Sequence, residues 1–430
     1  MRKRYIILFA MILIAALLFY ILILNPTIQE SIGFKISQWM VRLRMAVRPP
    51  ENVAFSDNQP TPEDDGALPQ PHTESEATNQ DPATAPTMDE LATPAPIPST
   101  FQIARGEYFS QHYRWNYCGP ANLAMLLSIW GWEGTHDDIA RAVKPYDLDK
   151  SVMPYELAEY ANQQEGLGAL VRVGGDFDTL KRLIAAGFPV MLEKGPHFRD
   201  IHYQMTWMGH YQVLNGYNDR EGFFIAQDSY IEADYQQPYN PLLEEWRSFN
   251  YTYIVAYPQQ MENDVLNILG DQANVDENYR HALAKAQEEI HSLRGLEQFF
   301  AYFNYGTNLV YLRDYSGAAR AYDEAFALYD ELPEDITIRP YRILWYQTGP
   351  FFAYYYTGRY ADVVEKTTKN SIEMVRDDEP ALEESYYWRG VSQIALGKKE
   401  EGLADLQTCL ELHPGFIPCL TALEEQGVRP

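Results

Sequence analysis

A single cysteine stands in the first 408 residues of this 430-residue chain, within "WNYCGPANLAMLLSIWGW", Trp115 to Trp132. Cys118 precedes Gly119-Pro120 and a run with helix start and stop signals. Pro120 suits a first turn, where its missing N–H costs nothing, and Gly131 suits the end. Leu123, Leu126, Leu127 and Trp130 recur at steps of three and four, the spacing of one buried helix face. A thiol just ahead of such a helix meets free N–H groups and the positive end of the helix dipole, which stabilise a thiolate. The chemistry open to it is nucleophilic attack. A small cysteine capping helix packing would look the same from this stretch alone, so its partners must decide.

The base for such a nucleophile is expected from a histidine on a rigid element elsewhere. "GHYQVLNGYNDREGFFIAQDSY", Gly209 to Tyr230, reads as a hairpin. Tyr211, Val213 and Asn215 alternate with Gln212, Leu214 and Gly216, a polar turn follows at 218–222, and a second strand runs from Phe223 to Asp228. His210 at the start of one strand and Asp228 at the end of its partner then share the open end of the hairpin. A carboxylate there accepts the imidazole N–H, fixes its tautomer and stabilises the imidazolium. His197 and His202 are rival bases, but no strand pair lies near to aim them.

"CGPANLAMLL", "GHYQVLNGY" and "QDSY" together resemble the papain-like cysteine peptidase domains related to bacteriocin leader peptidases, over about Phe101 to Pro258. The resemblance implies an α+β papain-like fold, with Cys118 as nucleophile, His210 as base and Asp228 as orienting acid. The family usually carries an oxyanion-stabilising glutamine five or six residues before the cysteine, where this chain has Tyr113 and His112. Gln111 is seven residues upstream and Asn116 two. The expected donor is Gln111, brought in by a one-residue bulge, or in part the Cys118 backbone N–H.

These side chains need elements to hold them. "GTHDDIARAVKP", "MPYELAEYANQQEG" and "DFDTLKRLIAAG" read as short helices, with Thr135 and Pro154 as starts and Gly166 and Gly187 as stops. "FPVMLEK" and "YTYIVAYP" read as strands of the sheet. "GPHFRDIHYQMTW", 195–207, is too long for a tight connection and leads into His210, so a loop shaping access to the cleft is expected there.

After Pro258 helical periods take over. Tyr302, Tyr305-Gly306, Leu309, Tyr315, Ala318, Tyr322 and Ala325 have counterparts in Tyr386, Arg389-Gly390, Gln393, Gly402, Leu406 and Cys409, with Pro414 ending the second unit. A middle unit fits between Ile343 and Lys366 with two extra residues. The pattern resembles the tetratricopeptide repeat of about 34 residues, which implies an all-α solenoid and a protein partner on its concave face. Cys409 and Cys419 flank the His413-Pro414 turn nearly symmetrically: they are a disulfide in an oxidising exterior or two small core residues in adjacent helices.

The N-terminal part reads differently. Tyr5 to Leu24 is 20 residues without a charge, long enough to cross a bilayer core of about 20 helical residues. Arg2, Lys3 and Arg4 abut this span and favour a cytoplasmic N-terminus with the folded parts on the extracytoplasmic side, although Lys35, Arg42, Arg44 and Arg48 lie beyond it. From about Pro49 to Thr100 the chain has prolines, threonines and acidic residues with no lysine or arginine, the composition of an extended disordered stalk.

A net charge of −26 argues against nucleic acid as a partner, since phosphates repel such a surface. Three cysteines without a CxxC pair or zinc-type His/Cys spacing give no metal or cofactor site. The expected organisation is a membrane anchor at 1–24, a juxtamembrane segment and linker at 25–100, the papain-like domain at 101–258 and the repeats at 259–430. The expected activity is peptide-bond hydrolysis on a peptide or protein substrate. The rival readings are a catalytically silent peptide-binding scaffold and acyl transfer by the same triad.

Overall fold

The computed structural model describes residues 97–428 apart from 113, 115, 145–148, 150–151, 201–203 and 375–381. The expected anchor, orientation signals and stalk up to residue 96, and His202, lie outside the described residues. Among the described residues no helix is long and apolar enough to cross a membrane.

An antiparallel sheet positions the candidate site. Its strands are β1 (Thr100–Gln102), β2 (Leu167–Arg172), β3 (Val190–Lys194), β6 (His210–Asn218), β7 (Phe223–Gln227), β8 (Tyr235–Pro238) and β9 (Tyr253–Pro258). The order is β2-β9-β3-β6-β7-β8, and β1 pairs with the far end of β6. A separate hairpin, β4 (His197–Arg199) with β5 (Met205–Trp207), occupies the predicted access loop. The expected loop is thus a short hairpin, because three-residue strands rich in rings carry too little alternation to be told from a loop in the sequence.

Period-two alternation divides the core between the two sheet faces. Met191, Val213, Ile254 and Ala256 face a cluster built by helix α1 (Cys118–Ser128), α2 (His136–Val143) and α3 (Pro154–Asn162). Val190, Leu192, Leu214 and Val255 face the opposite cluster, with α4 (Phe177–Ala185), α5 (Tyr239–Arg247) and α6 (Glu262–Leu269). The start signals act as read: the Thr135 N–H bonds to the Asp138 carboxylate at 2.8 Å, and Pro154 occupies the first turn of α3. Gly187 turns the chain out of α4 with φ of +96°, a conformation that a side chain would strain.

Helices follow: α7 (Val275–Ser292), α8 (Gly295–Tyr311), α9 (Tyr315–Glu331), α10 (Ile343–Tyr346), α11 (Gly349–Tyr356), α12 (Tyr360–Lys369), α13 (Glu383–Ala395), α14 (Lys399–Leu412) and α15 (Ile417–Glu425). Helix α7 docks on the sheet domain, where the Asn278 amide accepts from the Val173 N–H at 2.9 Å and donates to its carbonyl at 2.8 Å. Short connections join α8 to α9, α11 to α12 and α13 to α14, the hallmark of neighbouring helix pairs. In the last pair Gly390 and Gly402 let the backbones touch: a Cβ on Gly402 would stand 2.5 Å from the Gly390 carbonyl oxygen. Cys409 and Cys419 form a disulfide between α14 and α15, which resolves the alternative left open by their spacing.

Candidate active site

Cys118 is the first residue of α1 and half-buried. The first four N–H groups of a helix have no intrahelical partner, so the start of α1 directs partial positive charge toward the thiol. Helix α1 is fixed by the apolar cluster on which Leu123, Leu126 and Leu127 are fully buried.

The hairpin β6–β7 delivers the other two groups. His210 opens β6, and Asp228 follows the last residue of β7. The imidazole Nε2 lies 2.9 Å from Asp228 Oδ1, and both side chains are almost wholly buried, at 2% and 0% exposure. The nearby Cys118 thiol acts on the same ring, favouring its charged form.

Asp228 is heavily partnered. Oδ1 also accepts from the backbone N–H groups of Tyr230 at 2.9 Å and Ile231 at 3.0 Å, and Oδ2 accepts from Gln212 Nε2 at 2.9 Å. Burial opposes its ionisation, but His210, Lys194 and the Ile231 N–H outweigh burial and bring the carboxyl down to about 2. Burial likewise disfavours the imidazolium, yet Asp228 and Cys118 outweigh it and raise His210 to about 9. At neutral pH the pair is therefore a buried imidazolium and carboxylate.

Gln111 lies seven residues from Cys118 in sequence, but two backbone hydrogen bonds shorten the path. Arg114 N–H bonds to the Gln111 carbonyl at 2.7 Å, and Tyr117 N–H to that of Arg114 at 3.1 Å. Gln111 is buried at 5% exposure and tied twice to Ser229: its N–H donates to the Ser229 carbonyl at 2.9 Å, and Ser229 Oγ donates to its side-chain oxygen at 2.5 Å. The side-chain NH2 is the donor end of the Gln111 amide. Asn122 closes the circuit, its Nδ2 lying 2.8 Å from Ser229 Oγ, 2.8 Å from the Tyr211 carbonyl and 2.9 Å from the Cys118 carbonyl.

Rings and a second carboxyl complete the walls. Phe198, on β4, meets the His210 ring edge-on at 5.0 Å and stacks on Tyr230 at 4.2 Å. Tyr211 OH donates to the Val152 carbonyl at 2.8 Å and reaches Glu193 Oε1 at 3.3 Å. Burial pushes Glu193 up to about 8 against the pull of that hydrogen bond, with the nearby Cys118 adding to the rise. A carboxyl kept neutral in this way adds no negative charge beside a thiolate. His197, by contrast, contributes its backbone to β4 and is lowered by burial.

Cys118, His210, Asp228 and Gln111 are thus brought together. Gln212, Asn122 and Ser229 were missed as site residues, though each had a signal. Gln212 shares the strand face of His210 at a spacing of two, Asn122 is one helical turn beyond Cys118, and Ser229 lies in the quoted "QDSY".

The profile of the Peptidase_C39 like family matches residues 99–291. Among solved structures, a chain described as a C39-like peptidase from Bacillus anthracis is 17% identical, with 37% of this chain and 97% of that one covered and a TM-score of 0.31. No curated protein matches the chain. The sheet domain with α6 and α7 is accordingly similar to a peptidase family, and α8 to α15 lie beyond the matched segment.

Proposed function

We propose that this chain is a membrane-anchored cysteine peptidase. The observation that carries the reading is the buried His210–Asp228 pair at 2.9 Å, set against a thiol at the start of a helix. The Cys118 proton resides on His210, already the imidazolium, and the thiolate paired with it attacks a peptide carbonyl. The resulting oxyanion receives hydrogen bonds from the Gln111 amide and the Cys118 N–H. His210 then protonates the leaving amine, and water attacks the thioester to release the acid and regenerate the thiol. Asp228 holds the ring throughout.

The anchor at 5–24 and the acidic linker would hold the folded parts away from the bilayer on the extracytoplasmic side. The Cys409–Cys419 disulfide supports an oxidising compartment. The helix pairs α8–α9, α11–α12 and α13–α14 are read as tetratricopeptide-type repeats that recruit a protein substrate or partner.

The test is the pH dependence of iodoacetamide labelling of Cys118 in the full chain and in His210→Ala, followed by product analysis on peptide libraries with Cys118→Ala as control. Rapid labelling below about pH 7 that is lost with His210, and hydrolysis lost with Cys118, support the reading. Labelling only as an ordinary thiol near about pH 8–9 would favour the silent scaffold. Amide products in place of acids would favour acyl transfer.

A further inference from the structure

The hairpin β4–β5 is held between His210 and the helical region. On the site side Phe198 packs edge-on against the imidazole. On the other side, residues at the start and end of α10 grip the hairpin at the ends of its strands and at its base. Asp200 Oδ1 accepts from the Gln204 N–H at 3.0 Å, tying the two strands' ends together, while Oδ2 pairs with Arg342 Nη2 at 3.2 Å. Arg342 Nη1 reaches Thr206 Oγ1 at 3.3 Å. Both charges are buried, Arg342 at 2% and Asp200 at 3% exposure.

At the base, the Tyr346 ring meets Trp207 and Phe249 edge-on, each at 5.9 Å. The same ring covers Gly209, where an added Cβ would stand 3.0 Å from Tyr346 Cδ1. Gly209 is the residue before His210. Next along the chain, Gln347 Nε2 donates to the Ser248 carbonyl at 2.8 Å, so the grip extends onto the sheet domain.

A buried ion pair contributes a defined geometry more reliably than it contributes net stability. Here the geometry it defines runs from Arg342 through Asp200 and β4 to Phe198, and thence to the imidazole. Tyr346 fixes the other end of the same segment. We propose that Arg342 and Tyr346, which lie beyond the segment similar to the peptidase family, are positioning residues for His210, so that the active centre is complete only with the helical region docked. This rests on the proposed Cys118–His210 chemistry.

The experiment measures the iodoacetamide labelling rate of Cys118 against pH in the full chain, with the thermal unfolding midpoint of each variant alongside. Arg342→Ala, Asp200→Asn and Tyr346→Ala are each expected to lower the rate at pH 6 by about tenfold or more, as a misplacement of about 1 Å can cost about 10²-fold. Tyr346→Phe keeps the ring but loses the hydroxyl's contact with the Gly209 backbone, and should lose less rate than Tyr346→Ala. Arg342→Lys, which keeps the charge facing Asp200, should retain more of the rate than Arg342→Ala. Folded variants whose rate and pH profile stay within about twofold of wild type would overturn the proposal. Should Arg342→Ala fail to fold, Asp200→Asn, which still accepts from Gln204, and the Tyr346 pair decide it. Wild-type Cys118 without His210-dependent labelling at low pH would instead bring down the triad reading, and this proposal with it.

Discussion

Lys194 and His210 stand directly opposite one another in the β3–β6 ladder. The Lys194 ammonium is buried, 3.0 Å from Gln237 Oε1 and 3.0 Å from Glu245 Oε2. Gln237 Oε1 also accepts from Gln212 Nε2 at 3.3 Å, and Gln212 reaches Asp228. A cation thus lies at the back of the carboxylate that holds the histidine, and it helps keep Asp228 ionised.

Lys194→Met should raise the Asp228 pKa and weaken its hold on the imidazolium, so that the His210 pKa falls from about 9. The sign follows from the role of His210 as acid: activity requiring the imidazolium is lost as pH rises through its pKa, and the descending limb should move to lower pH. Breaking the Lys194–Glu245 pair should also cost stability, toward the low end of about 3–5 kcal/mol because water still reaches Glu245. An unchanged descending limb in the kcat/KM profile would count against the relay.

Much of this site was legible in the residues alone, because local signals set it. The alternation of 211–216 and the polar turn put His210 and Asp228 at one end of a hairpin, and helix signals put Cys118 at an N-terminus. What was not legible depends on contacts between distant segments. Asn122 and Ser229 meet across 107 positions, and Asp200 and Arg342 across 142. Sequence periodicity carries no information on such encounters. Nor does it see that α7, which reads as the start of the helical tail, docks on the sheet domain through Asn278.

Gln111 and Ser229 test the oxyanion assignment. Gln111→Ala should lower kcat by about 10²–10³-fold while Cys118 still labels as in wild type, since an oxyanion donor acts on the tetrahedral intermediate and not on the thiol. Ser229→Ala leaves the Gln111 side-chain oxygen without its 2.5 Å donor and should lower kcat by less. Equal losses of labelling and turnover would move Gln111 from the oxyanion to the support of Cys118.

Glu193 should make stability depend on pH in the neutral-to-basic range. Its folded pKa is raised to about 8, above the usual 4.5, so the unfolded chain releases this proton first. The contribution is fully present below about pH 4.5 and is lost as pH rises through about 8. Glu193→Gln removes that dependence. Relative to wild type it should gain on the order of 1–3 kcal/mol at pH 9 and almost nothing at pH 4.5, measured by urea unfolding at both values. A difference independent of pH would mean the carboxyl is not held neutral.

The Cys409–Cys419 disulfide closes a short loop between α14 and α15, with a sequence separation of 10. Cross-linking a loop of this size removes chain entropy worth about 2–3 kcal/mol from the unfolded state. Cys409→Ser with Cys419→Ser should therefore loosen the end of the chain, read as faster amide exchange across 399–425. The Cys118 labelling profile should hold, because Arg342 and Tyr346 grip the hairpin from α10, well before that terminal pair in the chain. If labelling of Cys118 slowed in step with the exchange, the last helices would be coupled to the site, and the grip on His210 would extend beyond α10.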